Sequence, residues 1–317
     1  MYAYGPVPSR RLGRSLGVSP IPHKTCSYNC IYCQLGQTRK LQVKRESFYP
    51  KEDILSDIEK VMNSANADYI TFVGDGEPTL CRDLGWLIRS CKSKWQIPVA
   101  VITNGSLFFI KDVRYDLKSS DVVLPSLDAG SEEVFRAINR PHGSIGFEEM
   151  LQGQIDFRQE YPGKIYLEVM LVNGVNDSDK SLNEIKDAIG QIEPDRIYIS
   201  VPIRPPAKPG VRPPEAERII RAHEIFGTTL DTLDLTDYES GIFGLDNFTD
   251  INTAIIKICS RHPLREEQAR DIERRFSKPG SIDTMLSDGN LVHVEYQNVS
   301  YLLPAGFIRK IRKNDLR

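Results

Sequence analysis

The chain lacks the marks of export. No apolar core follows Met1, as a secretory leader requires, and no run approaches the ~18 apolar residues of a membrane span. A cytoplasmic chain with no membrane partner is therefore expected. It also lacks a disulfide framework. Of six cysteines, Cys81, Cys91 and Cys259 are scattered and read as small buried hydrophobes, while Cys26, Cys30 and Cys33 crowd together. In a reducing compartment such clustering points to metal or catalysis. There is no internal repeat, no low-complexity tract and no strong excess of one charge. With 41 Lys and Arg against 43 Asp and Glu, the net charge of −2 gives no global pull toward polyanions. The balance is uneven, however. The first 50 residues carry eight Lys and Arg against Glu46 alone, a local arm suited to an anionic ligand or simply solvated.

What is present is an alternation. Short runs at 15–18, 69–74, 99–103, 122–127, 165–171 and 196–201 are rich in Val, Ile, Leu and Tyr. Several are too apolar to have a wet face, as in a parallel sheet covered on both sides. Amphipathic stretches lie between them at 51–64, 131–139, 178–192 and 214–226. Six strand–helix alternations predict an α/β barrel or partial barrel over residues 1–235, with a doubly wound open sheet as the competitor. A Pro-rich segment, 201–214, is expected to cross the barrel mouth. Residues 236–248 read as a linker. Beyond it come helices at 250–260 and 264–276, a shorter one after Gly280, and a hairpin, 291–296 with 299–303, turning at Gln297-Asn298. That order predicts a winged-helix-like second domain over 249–317, mildly basic with 12 Lys and Arg against nine Asp and Glu.

The sharpest chemical signal is the spacing C-x3-C-x2-C formed by Cys26, Cys30 and Cys33. Three thiolates on one loop can ligate three irons of a cubane, leaving the fourth iron open. A structural zinc site wants four closed ligands, which His23 or Cys81 would have to complete. Polar groups recur at strand ends, where an α/β barrel collects its functional residues. Gly74-Asp75-Gly76-Glu77-Pro78 follows one strand, Asn104 another, and Ser126 and Asp128 a third. Each has an ordinary alternative as a turn or helix cap.

The cysteine motif, with Tyr32 before its last cysteine, resembles that of the radical S-adenosylmethionine (SAM) superfamily. The resemblance implies a partial (βα)6 TIM-like barrel and a [4Fe–4S] cluster on Cys26, Cys30 and Cys33. It implies reductive cleavage of SAM to a 5′-deoxyadenosyl radical, with electrons from a donor such as flavodoxin or ferredoxin. Gly76, Glu77 and Pro78 resemble the superfamily's Gly-Gly-Glu-Pro element, with Asp75 in place of its first glycine. Those three residues, with Asn104, Ser126 and Asp128, are the implied SAM contacts. The stretches 76–80, 126–129 and 138–141 are similar to those of wyosine-forming tRNA enzymes, but this chain has no cysteine upstream of Cys26 for their second cluster. The substrate is left open among tRNA, peptide or protein, and metabolite, with RNA or peptide reached through the C-terminal domain. The competing reading is an iron–sulfur regulator whose winged helix reads DNA.

Overall fold

The computed structural model describes residues 1–227, the backbone of 231–235, residues 243–245 and 248–305. In chain order the first part holds β1 (Ala3–Ser9), β2 (Gly13–Val18), β3 (Thr25–Cys26), β4 (Lys40–Leu41), α1 (Lys51–Met62) and β5 (Tyr69–Val73). Next come α2 (Leu84–Lys94), β6 (Val99–Thr103), α3 (Lys111–Leu117), β7 (Val122–Pro125), α4 (Glu132–Ile138) and α5 (Phe147–Glu160). Then follow β8 (Lys164–Met170), α6 (Asp179–Ile192), β9 (Arg196–Ser200), α7 (Ala216–Phe226) and β10 (Asp231–Leu235).

One sheet runs in the order β1-β2-β5-β6-β7-β8-β9-β10. From β2 to β10 every neighbouring pair is parallel, and a helix joins each to the next. All six expected strands are there. Two edge strands were not expected. β1, antiparallel to β2, carries Pro6 and Pro8, and its register slips between Tyr4 and Val7. Proline cannot donate to a ladder, so such a strand survives only at an edge. The expected linker, 236–248, lies largely outside the described residues.

Strand side chains alternate between two faces. Leu16, Ile70, Phe72, Val101, Val123, Leu167 and Ile199 point into the layer of helices and form the main core with residues such as Ile58, Leu87 and Ile185. The other face turns inward. Toward the strand N-termini it is closed by Leu12, Tyr69, Ala100, Val122, Leu124, Tyr166 and Tyr198. The rings of Tyr166 and Tyr198 meet edge to face at 6.0 Å. Toward the strand C-termini the same face opens into a cavity of about 340 Å³. The sheet is thus an α/β layer wrapped around a plugged interior, as in a partial barrel.

The last part has its own core. α8 (Ile251–Cys259), β11 (Leu264–Arg265), α9 (Glu266–Arg275), α10 (Ser281–Ser287), β12 (Leu291–Tyr296) and β13 (Val299–Pro304) include a sheet ordered β11-β13-β12. Ile255, Ile258, Leu264, Ile272, Ile282 and Leu302 pack at its centre. Gln297 and Asn298 both adopt positive φ, as a tight two-residue hairpin turn requires. This unit sits on the barrel mouth. Tyr301 Oη donates to Ile203 O at 2.6 Å, and Tyr296 Oη and Gln297 Nε2 donate to Pro202 O at 2.9 and 2.8 Å.

Candidate functional site

The three clustered cysteines lie at the C-terminal ends of the barrel strands, Cys26 as the last residue of β3 and Cys30 and Cys33 on the loop from β3 to β4. Four backbone hydrogen bonds dock this loop along the end of α4: Asn29 N to both Asn139 O (3.0 Å) and Arg140 O (3.1 Å), Ile31 N to Ile138 O (3.0 Å) and His142 N to Ser27 O (2.8 Å). Within it, Thr38 Oγ1 donates to Tyr28 O at 2.7 Å, and Gly36 N to Cys33 O at 3.0 Å. Each sulfur faces one side-chain N–H donor from a different place in the fold. Asn104 Nδ2 is 3.6 Å from Cys26 Sγ, Asn139 Nδ2 is 3.7 Å from Cys30 Sγ, and Lys24 Nζ is 3.7 Å from Cys33 Sγ. Burial pushes the Cys26 thiol up to about 12, and Cys30 well above its ordinary value, with the neighbouring thiols adding to the rise. A cation on the loop reverses that preference, because it binds the thiolate form. Among the described residues no three His, Cys, Asp or Glu side chains converge on a single ion position. Cysteines that each take a different iron of a cubane need no such convergence. Cys81 is instead buried beside Arg45, Asp83 and Asp116. Three sulfurs, each with an N–H donor, fit a cluster with one open iron.

The turn after β5 is pressed against this loop. A Cβ on Gly76 would stand 1.8 Å from Thr25 O, so no other residue fits there. Glu77 N donates to Thr25 O at 3.1 Å and Lys24 N to Asp75 O at 2.6 Å. The Glu77 carboxylate, 1% exposed, accepts from Thr79 N (3.0 Å), Thr79 Oγ1 (2.6 Å), Thr103 Oγ1 (2.6 Å) and Asn104 N (2.7 Å). Burial raises its pKa while these bonds pull it back. The side chain therefore ties the turn to the end of β6, and Pro78 starts a single 3₁₀ turn behind it. Asp75, the departure from the Gly-Gly-Glu-Pro element, is engaged in a different direction. Its carboxylate accepts from Arg261 Nε at 2.9 Å, and that guanidinium lies 4.7 Å over the Tyr4 ring.

Two of the expected SAM contacts serve the cysteine loop. Asn104 Nδ2 also donates to Ser27 Oγ at 2.9 Å, while its Oδ1 accepts from Ser106 N at 2.9 Å. Asp128, 2% exposed, accepts from Tyr32 Oη (2.5 Å), Asn139 Nδ2 (2.6 Å) and Met170 N (2.9 Å). Burial raises the Asp128 pKa against those three donors. Ser126, by contrast, lines the cavity. Lys24 and Asn139 were not expected as site residues; nothing in their spacing signals that both would turn toward sulfur. Arg261 was missed because its partner lies 186 positions away.

The cavity joins these parts. Tyr32, Cys33 and Gln34 form one wall and Gly74 and Asp75 another, with Ser15, Thr71, Glu168 and Ser200 below and Arg204, Arg261 and His262 above. Glu168 pairs with Arg11. Arg204 Nη1 donates to Gln34 Oε1 at 2.6 Å, and Arg204 Nη2 lies 3.1 Å from His262 Nε2. Ser200 Oγ, in the cavity lining, is buried with no hydrogen-bond partner, a polar atom of the kind a ligand would satisfy. A shallower depression of about 530 Å³ lies at the other end of the strands, by Lys92, Lys118 and Asp121. It lies away from the cysteines, at the end of such barrels that serves stability.

Residues 21–185 match the radical SAM superfamily. The chain is 35% identical over 321 residues to a UPF0026 protein of Methanocaldococcus jannaschii, covering 99% of this chain and 97% of that one. It is 33% identical over 273 residues to a UPF0026 protein of Helicobacter pylori, covering 84% and 86%. Among solved structures, a radical SAM methyltransferase from Sphaerobacter thermophilus shares 17% identity, with a TM-score of 0.54 over 70% of this chain and 66% of that one. At that identity the likeness bears on fold alone.

Proposed function

The chain belongs to the radical SAM superfamily, whose enzymes use a [4Fe–4S] cluster and SAM, and from that premise we propose that Cys26, Cys30 and Cys33 hold the cluster, with Cys33 at the wall of the 340 Å³ cavity. When bound, cluster and SAM together supply a 5′-deoxyadenosyl radical that removes hydrogen from a substrate. The observation that carries the assignment is the set of one side-chain N–H donor per sulfur, at 3.6 to 3.7 Å, on a loop fixed by backbone bonds.

The remaining residues bind, orient and seal. The backbone of Gly76, Glu77 and Pro78 forms the edge that receives SAM, with Ser126 beside it. Glu77 acts by positioning that edge, through the four bonds it accepts. Asn104 and Asp128 act on the cysteine loop. The Tyr69, Tyr166 and Tyr198 plug keeps water from the lower interior. An external electron donor, flavodoxin or ferredoxin in our reading, delivers the reducing equivalent. No helix among the described residues is long and apolar enough to cross a membrane, and we place the enzyme in the cytoplasm.

The C-terminal domain expected over 249–317, of which 306–317 lie outside the described residues, we read as a winged-helix-like unit whose described part closes the cavity. Arg261 and His262 line it, and the hairpin tip is occupied by Pro202. Arg270 on α9 is paired with Asp283, Glu266 and Glu273, which leaves little of its charge for phosphate. That disfavours a DNA-reading regulator. The substrate, RNA, peptide or metabolite, presents its reacting carbon under this unit.

The test is anaerobic reconstitution of the full chain with iron and sulfide. A brown protein that releases 5′-deoxyadenosine from SAM with dithionite supports the reading. A colourless protein holding zinc and no iron contradicts it.

A further inference from the structure

Lys24 is an unusual lysine. It lies two residues before Cys26 and is 4% exposed, although lysine is almost never fully buried without a partner. Its backbone is held in the left-handed region at φ 62°, a conformation non-glycine residues rarely take. That backbone is fixed on both sides. Lys24 N donates to Asp75 O, and Lys24 O accepts from Arg39 N (2.9 Å) and Lys40 N (3.1 Å). Its ammonium donates to Gly36 O and lies 3.7 Å from Cys33 Sγ, and no carboxylate among the described residues pairs with it. A neutral carbonyl and a thiol are poor compensation for an ammonium taken out of water.

The imbalance disappears when the cysteines carry their cofactor. A cluster held by three thiolates is a net anion at rest and gains a further negative charge on reduction. Asn104 and Asn139 offer neutral dipoles to Cys26 and Cys30; Lys24 brings a full charge to Cys33. Charge and N–H donors beside cluster sulfurs stabilise the reduced form and so raise its potential.

We propose that Lys24 is the built-in counter-cation of the cluster, a positioning residue that acts through Cys33 to hold the anionic site and ease its reduction. This rests on the cluster reading above. The test uses full-length wild type, Lys24→Met and Lys24→Arg, each reconstituted anaerobically. The midpoint of the cluster is then read by potentiometric titration monitored by electron paramagnetic resonance. In Lys24→Met the reduced-to-oxidised ratio at a fixed potential should fall about tenfold, which is a downward shift of about 59 mV for one electron. Lys24→Arg, which keeps the charge, should recover most of it. Melting of the iron-free proteins reads the opposite sign: without the anion the lysine is a burden, so iron-free Lys24→Met should melt above wild type. A lysine that merely packs the loop would give a lower melting temperature.

A wild-type chain that takes up no iron would count against the cluster assignment and not against the lysine. A loaded Lys24→Met with an unchanged midpoint would overturn the proposal. Should Lys24→Met not load, the iron-free melting decides: a higher value supports the counter-cation, and an equal or lower one overturns it.

Discussion

Tyr69 and Thr71 stand two residues apart on one strand, as do Tyr166 and Glu168, and Tyr198 and Ser200 on two others. All six face the barrel interior. The lower member of each pair is an aromatic in a closed apolar cluster, and the upper member is a polar residue at the cavity. Pleating gives both the same direction, so a rise of two residues is what separates them. The lower layer fills space that would otherwise be empty, and the upper layer leaves space that a ligand takes. Stability and function are therefore divided along the strands, not between different strands.

Substitutions at the two levels should separate cleanly. The largest effect is expected at the top. Cys30→Ala should abolish iron uptake and SAM cleavage altogether while changing the unfolding free energy of the iron-free protein by about 1 kcal/mol or less; iron assay beside urea denaturation checks both. At the bottom, Tyr198→Ala should cost about 3–5 kcal/mol, the usual cost of truncating a buried aromatic, with iron per folded chain unchanged. If instead it loses iron at full stability, the division fails.

Between these lies the link from cavity to C-terminal unit. Arg261→Gln strands the Asp75 carboxylate, with side chains 16% and 10% exposed in the intact pair. SAM affinity should fall roughly tenfold, about 1.4 kcal/mol, and Asp75→Asn in the same chain should restore part of it. Equilibrium binding to the reconstituted proteins measures this, and additive losses would mean the pair is not coupled.

Smaller still is a pH effect at the lower end. Burial works to raise the Asp195 pKa, but Lys164, Ile165 N and Arg158 hold the carboxylate below its ordinary value. Its folded pKa is depressed, so its contribution is complete above the ordinary aspartate value and is lost as pH falls through the folded one. About 1 kcal/mol should vanish over that acid range, and Asp195→Asn should flatten the curve of stability against pH. Least of all, Ser200→Ala removes a buried hydroxyl with no partner. Stability should stay within about 0.5 kcal/mol of wild type, while binding in the cavity weakens.

The same layering explains what could be read from the sequence. The six central strands were legible because they are continuous apolar runs, with ends within two residues of the structure. β1 was not, since Pro6 and Pro8 argue against a strand until an edge is available, and β10 carries Asp231 and Asp234. Helices α8 and α9 and the hairpin followed from periodicity and from Gln297-Asn298. In the site, the cysteines were legible because their spacing is itself the chemistry. Asn104 and Asp128 were legible as polar groups at strand ends, yet spacing does not tell which way a side chain turns, and both turn to the cysteine loop. Lys24 and Arg261 could not be found at all, because burial and a partner 186 positions distant arise only on folding.

The central claim is that three sulfurs from Cys26, Cys30 and Cys33 leave one iron for SAM. Electron–nuclear double resonance on the reduced, reconstituted chain tests it directly, using SAM labelled with nitrogen-15 and oxygen-17 on its methionine amino and carboxyl groups. The account predicts hyperfine coupling from both labels in the wild type. A fully loaded cluster with no coupling to either label, and a protein donor on its fourth iron, would contradict it.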